Sequence, residues 1–133
     1  MIESIAITCL ALNVLFEASG EHAVAQRAVA HVTINRAKAR YPDVDLCAVV
    51  FEPNQFSWTT TKTVNGVLKP EYRPDVAGAE WLLAKQSAIT AWETNDFTNG
   101  ATFYFRWDSA PNFTRKLTYV GAWGAHVFYR EDK

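Results

Sequence analysis

The sequence has few cysteines, little net charge and no long apolar run. Two cysteines allow at most one disulfide bond, so a buried core rather than a set of crosslinks must hold the fold. A formal net charge of −1 gives no basic footprint, so we expect no nucleic-acid partner and no binding driven mainly by attraction to an anionic surface. The most apolar stretch, residues 2–16, is too short to span a membrane, and no membrane insertion is expected.

Metal-ligand patterns are also missing. His22, His31 and His126 show no ligand spacing and no Cys/His cluster exists, so we expect neither a metal site nor a cofactor. Cys9 and Cys47 both lie in apolar segments. The sequence leaves open whether they are buried thiols or form a disulfide bond outside a reducing cytosol.

The size of the chain is that of one domain. Of its 133 residues 49% are hydrophobic and 20% charged, which predicts a single soluble domain over residues 1–133.

Residues 2–16 could be mistaken for a secretion signal. However, Glu3 stands where such a signal carries positive charge, and no clear cleavage pattern follows. The stretch is therefore interpreted as the first core helix.

Two helices are predicted within residues 1–40. In the first, apolar side chains recur at helical spacing and define a stripe expected to face the core, formed by Ile2, Ile5, Cys9, Leu12 and Phe16. Gly20 ends this helix, and residues 21–40, rich in small side chains, form the second. Arg36 is predicted to be an exposed cation that complements the dipole of the second helix. The alternative is that Asn35 or Arg36 holds a carboxylate of a site.

The remainder of the chain is predicted to mix short helices, loops and strands. Residues 45–51 favour a short helix, and residues 60–73 favour a loop at the rim of a site. A long helix over residues 75–94 is predicted to begin after Pro74. Its expected buried face consists of Val76, Ala79, Leu82, Leu83, Ile89 and Trp92. Strands are predicted over residues 101–107, 117–121 and 125–129, with a hairpin between the last two.

Glu17 is the first candidate for chemistry. It follows the apolar helix and precedes Gly20, so its carboxyl group is expected at the edge of the core beside apolar and aromatic side chains. Desolvation there favours the protonated form that a general acid needs. The alternative is a solvated side chain near a helix end.

Glu21 is the second acidic residue of this stretch. It is predicted to lie in the first turn of the second helix, where an acid complements the helix dipole, with Ser19 as the capping residue. The alternative is that Glu21 forms part of the functional site.

Aromatic residues make up 14% of the chain, with five Trp, five Tyr and eight Phe. Most are expected in the core and the strands. The remainder would suit a groove that grips an uncharged, ring-shaped ligand. Residues 55–59 alternate polar and aromatic side chains, which is typical either of a half-buried strand or of a surface that offers hydrogen bonds and ring faces to a sugar.

Seven short motifs occur in order along the chain: Cys9-Leu10-Ala11-Leu12-Asn13, Phe16-Glu17-Ala18-Ser19-Gly20-Glu21, Asn35-Arg36, Cys47-Ala48-Val49-Val50, Gln55-Phe56-Ser57-Trp58-Thr59, Thr98-Asn99-Gly100-Ala101-Thr102 and Gly124-Ala125-His126-Val127-Phe128-Tyr129. Together and in this order they resemble the SleB-like cell wall hydrolases of spore cortex lysis and phage endolysins. The sequence departs from the family at Ser19, where Arg is usual, and at Ala125, where Asn is common.

The resemblance implies an α+β, mainly α fold, a lysozyme-like helical domain with a small antiparallel β-sheet. It also implies a peptidoglycan-degrading enzyme that cleaves the glycan strand next to N-acetylmuramic acid, with Glu17 as the catalytic acid. Characterised members act as lytic transglycosylases, which need one acid because a sugar hydroxyl replaces water. The alternatives are a hydrolytic muramidase, a non-catalytic peptidoglycan-binding module, and an amidase or peptidase, for which the sequence lacks a metal or nucleophile constellation.

Substrate-binding roles are a hypothesis based on side-chain chemistry. We expect hydrogen bonds to the sugar from Gln55, Ser57, Thr102 and Tyr104, a groove lined by Phe56 and Trp58, and a share in the site for Glu21. The alternative for each of the first six is a structural role in the core or in a strand. The expected setting is that of a monomeric phage endolysin. Such a protein is made in the host cytoplasm without a signal peptide and acts at the bacterial cell wall.

Overall fold

The N-terminal part of the chain forms two helices that are joined by a turn at Gly20. In the computed structural model, which describes residues 5–53 and 55–132, α1 spans Ile5–Ala18 and α2 spans Ala23–Arg40. Gly20 has a φ of 90°, a left-handed conformation that favours glycine, and it follows the end of α1 directly after Ser19. Both predicted helices are confirmed within these bounds, and Ile2 and Glu3 lie outside the described residues.

The buried face of α1 differs from the predicted stripe. Ile5 is 79% exposed, Leu12 and Phe16 are half-buried, and only Cys9 of the described stripe is buried. The buried positions of α1 are Ile7, Cys9, Leu10, Ala11, Asn13, Val14 and Ala18. The helix contacts α2, a third helix and the long helix that begins at Ala79, so it is enclosed on more than one side, and no single stripe describes its burial.

A disulfide bond joins α1 to the third helix. This helix, α3, spans Leu46–Val50, and the Asp45 carboxylate caps it by accepting a hydrogen bond from the backbone N–H of Ala48. Cys9 and Cys47 form the bond, which resolves the alternative that the sequence left open. It links positions 38 residues apart, so loss of chain entropy in the unfolded state contributes about 4 kcal/mol of stability.

Residues 55–59 do not form a strand, which was one of the two alternatives, and the loop predicted over residues 60–73 contains short regular elements. Residues 55–57 make a turn that leads into α4, Trp58–Thr61, and two short strands follow, β1 at Thr63–Val64 and β2 at Val67–Leu68. Asn65 and Gly66 between them both have positive φ angles, which is the geometry of a tight hairpin turn. A 3₁₀ helix at Pro70–Tyr72 completes the segment.

The long helix α5 spans Ala79–Glu93 and begins later than predicted. The Asp75 carboxylate accepts a hydrogen bond from the backbone N–H of Ala77, so residues 75–78 form a turn rather than a first helical turn. The predicted buried face is also wrong, because Val76, Leu82 and Leu83 are exposed. The face that α5 turns to α1 and α2 consists of Trp81, Ala84, Ser87, Ala88 and Ala91.

Three antiparallel strands form the main sheet, in the order β3-β5-β4. Strand β3 spans Phe103–Arg106, β4 spans Thr118–Trp123 and β5 spans His126–Arg130. The three predicted strands and the hairpin between the last two are confirmed, and a 3₁₀ helix at Asn112–Lys116 connects β3 to β4. Phe128 of β5 is buried with Val29 and Val32 of α2, which places the sheet against that helix.

The architecture confirms the predicted α+β, mainly helical class with a small antiparallel sheet. Helices α1, α2 and α5 pack around the larger hydrophobic core, and the sheet adds a second core on the other part of α2. Among the described residues, no helix is long and apolar enough to cross a membrane.

Candidate active site

The carboxylate of Glu17 lies where α1 meets the sheet. Glu17 belongs to the last turn of α1 and is half-buried. Its Oε1 atom accepts a hydrogen bond of 2.6 Å from the hydroxyl of Tyr104 on β3, a residue 87 positions later. The position at the edge of the core agrees with the expectation from the sequence. The partner was not foreseen, although both residues were candidates.

Tyr104 stays protonated next to this carboxylate. Burial raises the pKa of the Tyr104 hydroxyl well above 10, and the negative charge of Glu17 and its hydrogen bond raise the pKa further. The positive charge of Arg36 acts in the opposite direction but is outweighed. The phenol therefore acts as a hydrogen-bond donor at any physiological pH, and the oxygen that it contacts is an acceptor.

Arg36 is the cation of the site, and the prediction that it is an exposed residue is wrong. Its Nε atom donates a 2.6 Å hydrogen bond to the Thr102 carbonyl, and Nη1 donates to Gln55 Oε1 at 3.4 Å. The guanidinium carbon lies 5.3 Å from the ring centre of Phe56 and 5.7 Å from that of Phe103. Burial lowers the pKa of Arg36 below its ordinary value, whereas the negative charge of Glu17 acts in the opposite direction.

The neighbouring Asn35 holds a carboxylate, but not that of Glu17. Asn35 Nδ2 donates hydrogen bonds to Asp96 Oδ2 at 3.0 Å and to the Ala101 carbonyl at 2.9 Å. Burial acts to raise the pKa of Asp96, yet hydrogen bonds from Thr98, Asn35 and Gly100 outweigh it and the pKa is lowered from 3.8. These contacts fix residues 96–101, which lead into β3 and thereby position Tyr104.

Glu21 connects the turn after α1 to the hairpin of the sheet. Its Oε1 accepts a 2.7 Å hydrogen bond from the backbone N–H of Ala125, and its Oε2 lies 3.1 Å from His126 Nδ1. The predicted place in the first turn of α2 is wrong, because α2 begins at Ala23. The contact with the hairpin, which no local pattern indicates, decides where this carboxylate lies.

Ser19 does not cap the second helix as predicted. The residue before α2 is His22, and Ser19 Oγ instead donates a 3.2 Å hydrogen bond to Glu80 Oε2 at the start of α5. Ser19 thus joins the end of α1 to the start of α5.

The two aromatic side chains that the sequence placed along a groove are buried. Trp58 is 2% exposed and Phe56 is 5% exposed. Trp58 packs its ring 4.9 Å from that of Phe16, and its Nε1 donates a 2.8 Å hydrogen bond to Asn13 Oδ1. Neither Phe56 nor Trp58 presents an open ring face to a ligand in this structure. Both pack in the hydrophobic core next to the site.

Asn13 is a residue of this region that sequence reasoning missed. It is fully buried and donates a 3.1 Å hydrogen bond to Thr33 Oγ1 while it accepts the one from Trp58. Asn13 precedes Glu17 by one helical turn, so both lie on the same side of α1. A polar residue in the middle of an apolar helix, one turn before an acid, is the signal that could have identified it.

The remaining candidates differ in their surroundings. Gln55 is half-buried and contacts Arg36, whereas Ser57 is exposed before α4. The hydroxyl of Thr102 is buried without a hydrogen-bond partner among the described residues, and its carbonyl holds Arg36.

Within residues 5–53 and 55–132, no group of three or more His, Cys, Asp or Glu side chains is placed to hold a metal ion.

An open hollow of about 390 Å³ lies next to the end of α1. Its lining includes Phe16 and Ser19 of α1 and the turn after it, together with residues 71–75. Glu17 is not among the lining residues, so the hollow lies beside the end of α1 rather than at the Glu17 carboxylate.

Two solved structures resemble the chain over nearly its whole length. The catalytic domain of the germination-specific lytic transglycosylase SleB from Bacillus anthracis is 23% identical with a TM-score of 0.70, and the match covers 96% of each chain. The catalytic domain of the SleB protein from Bacillus cereus is 25% identical with a TM-score of 0.70, covering 96% of this chain and 91% of the other.

The sequence comparisons bear on the family rather than on single residues. No curated protein sequence matches the chain significantly. The family model described as cell wall hydrolase matches residues 20–129, a span that includes Glu21, Arg36 and Tyr104 but begins after Glu17. Since this match covers most of the 133 residues, the chain belongs to the cell wall hydrolase family.

Proposed function

We propose that the protein is a peptidoglycan lytic transglycosylase that cleaves the glycan strand next to N-acetylmuramic acid, with Glu17 as general acid and then general base. The observation that carries this proposal is the half-buried Glu17 carboxylate, one oxygen of which is held by the hydroxyl of Tyr104 at 2.6 Å. Membership of the cell wall hydrolase family and the likeness to a structure described as a lytic transglycosylase support it.

The hydrogen bond from Tyr104 assigns the two oxygens of Glu17 different tasks. Because the protonated phenol donates to Oε1, the transferable proton resides on Oε2. In the first step Oε2 gives this proton to the glycosidic oxygen as the bond from C1 breaks, and the bonding electron pair leaves with that oxygen. Tyr104 holds the resulting carboxylate in place, and the positive charge of Arg36 stabilises it next to the positively charged sugar.

The second step needs no water. The C6 hydroxyl of N-acetylmuramic acid adds to C1 and passes its proton to the Glu17 carboxylate, which closes a 1,6-anhydro ring and restores the protonated acid. An inverting hydrolase would need a second carboxylate about 6.5–9.5 Å away to activate water. Glu21 is the nearest acid in the sequence, and its oxygens lie against the Ala125 N–H and His126. This engagement of Glu21 favours the transglycosylase over the hydrolytic muramidase.

The surrounding candidates divide into two groups in this proposal. Gln55 and Ser57, which lie on the partly exposed connection before α4, hydrogen-bond hydroxyl groups of the sugars. Four side chains that are buried or half-buried act indirectly by fixing the walls of the site, and they are Glu21, Phe56, Trp58 and Thr102.

The proposed place of action is the bacterial cell wall, as in a phage endolysin. The disulfide bond between Cys9 and Cys47 supports a folded state outside a reducing cytosol, because such bonds persist in oxidising compartments such as the periplasm.

The catalytic role is tested by the substitution Glu17→Gln. The amide keeps the shape and the hydrogen bond to Tyr104 but cannot donate an acidic proton, so we expect the release of fragments from purified sacculi to fall about a hundredfold or more. The matched control is Glu93→Gln, which removes a carboxylate at the exposed end of α5 and should leave the rate unchanged. Wild-type activity in the Glu17→Gln protein would refute the role of Glu17.

The products of the reaction distinguish the alternatives. Mass spectrometry of the digest should show 1,6-anhydro ends, whereas reducing ends would identify a hydrolytic muramidase. Binding to sacculi without release of fragments would identify a non-catalytic module, and free stem peptides would identify an amidase or peptidase.

A further inference from the structure

The hollow beside the end of α1 is lined by charged side chains that cleavage of a sugar chain does not require. We call it the charged hollow, and its main lining residues are Phe16, Ser19, Lys62, Glu71, Arg73 and Glu80. It measures about 390 Å³ and lies between the end of α1, the segment after β2 and the start of α5. A glycan backbone consists of uncharged rings apart from substituents, so these charges indicate a different part of the substrate.

Lys62 is the positive group of the hollow that is fixed in position. Its ammonium nitrogen lies 4.1 Å from the ring centre of Tyr72 and 5.5 Å from that of Phe16, so two aromatic faces hold it. Within the described part of the chain Lys62 makes no ion pair with a carboxylate. A cation held against two rings, half-buried and without an acidic partner, is able to bind a carboxylate from a ligand.

Acidic side chains line the hollow together with the cations Lys62 and Arg73. Glu71, Asp75 and Glu80 all line the same hollow, and Glu80 is held by the hydrogen bond from Ser19. A ligand that contains both carboxylates and an ammonium group matches this distribution of charges. A chain of uncharged sugars does not use it.

We propose that the charged hollow binds the stem peptide attached to the muramic acid at the cleavage site, with Lys62 pairing a carboxylate of that peptide. The inference rests on the proposed function and names a further part of the same substrate. The stem peptide begins at the lactyl group of muramic acid and carries free carboxylates, and Phe16, which precedes Glu17 in the chain, forms both the wall of the hollow and a face for Lys62.

The test compares two substrates, glycan strands with their stem peptides and strands from which an amidase has removed them. The wild-type protein should show a higher kcat/KM on the peptide-bearing strands. In Lys62→Gln and Lys62→Met this preference should fall about fivefold through KM, the size expected of a half-exposed ion pair. The control Lys116→Gln, an exposed lysine outside the hollow, should keep the full preference.

Two further observations separate binding from a structural role. Added salt should lower the preference of the wild-type protein, because an ion pair at a partly exposed site is screened. An equal loss on both substrates in the Lys62 variants, or a preference that they retain, would overturn the peptide site while leaving the proposed function intact. No cleavage of either substrate by the wild-type protein would overturn the proposed function itself.

Discussion

At the scale of single residues, Tyr104 determines how the Glu17 carboxyl group is presented. Its hydroxyl donates to one oxygen of Glu17, while its ring packs between the side chains of His126 and Phe128 on β5 at centroid distances of 5.3 and 5.8 Å. The ring fixes the position of the hydroxyl and the raised pKa keeps it protonated. Tyr104 thus acts through Glu17 as a positioning residue in the proposed reaction.

Tyr104→Phe should therefore slow the reaction without weakening binding. The substitution keeps the ring and removes only the hydrogen bond to the acid, so we expect kcat to fall about tenfold with little change in KM, as for the loss of one hydrogen bond to a charged group. Steady-state kinetics on soluble glycan fragments measure both constants. Tyr119→Phe, which removes the hydroxyl of an exposed tyrosine on β4, is the control. A rise in KM alone would show that Tyr104 binds substrate instead.

At the scale of elements, the turn between β4 and β5 is tied to the turn between α1 and α2. Gly124 has a φ of 61°, and a Cβ atom at this position would lie 2.0 Å from Glu21 Oε1 and 2.8 Å from the Cβ of Ala25. The close approach lets the neighbouring Ala125 N–H donate to the Glu21 carboxylate. Glycine is needed here both for the backbone conformation and for the space.

Gly124→Ala should destabilise the protein more than the same substitution at a glycine that has open space around it. Gly66 has a similar φ of 77° but no atom within 4 Å of an added Cβ, so Gly66→Ala serves as the matched control for backbone strain alone. We expect Gly66→Ala to cost about 1 kcal/mol of unfolding free energy and Gly124→Ala about 1–3 kcal/mol more, because Glu21 must move. Urea unfolding of both variants measures the difference, and equal losses would contradict the role of this contact.

At the scale of the whole molecule, α2 carries a histidine whose titration couples stability to pH. His31 is 2% exposed, and its Nε2 has no hydrogen-bond partner among the described residues. Burial lowers the pKa of His31 from 6.5, Asp96 acts to raise it, and Lys38 and Arg27 add to the lowering. The unfolded chain therefore binds a proton more readily than the folded protein in the pH interval below 6.5.

The free energy of unfolding should accordingly fall as the pH is lowered from about 7 to about 5, since protons then favour the unfolded state. Asp96, whose pKa is lowered from 3.8, contributes stability that is lost only at more acidic pH. His31→Gln removes the titration and should show a smaller change over the same interval. Chemical unfolding at several pH values measures how the free energy of unfolding changes with pH. The same pH dependence in the variant as in the wild-type protein would assign it to other groups.

Much of the secondary structure was predictable because its signals are local. Helices α1 and α2 follow from apolar and small residues with a break at Gly20, α3 follows from the apolar residues after Asp45, and the sheet strands follow from aromatic segments between turns. Glu17 and Tyr104 could also be selected one at a time, since a carboxyl group beside an apolar helix and a polar aromatic residue on a strand are recognisable types.

Contacts between distant segments were decided only by the tertiary structure. The face of α5 could not be predicted, because Trp81, Leu82 and Leu83 are consecutive and the packing of α1 and α2 selects Trp81. The hydrogen bond between Glu17 and Tyr104 spans 87 residues, and that between Glu21 and Ala125 spans 104. The amino-acid sequence determined the helices, the strands and the acid. The fold decided which donor and which cation lie near the Glu17 carboxyl group, since hydrophobic packing has no pairing preference that can be read along the chain.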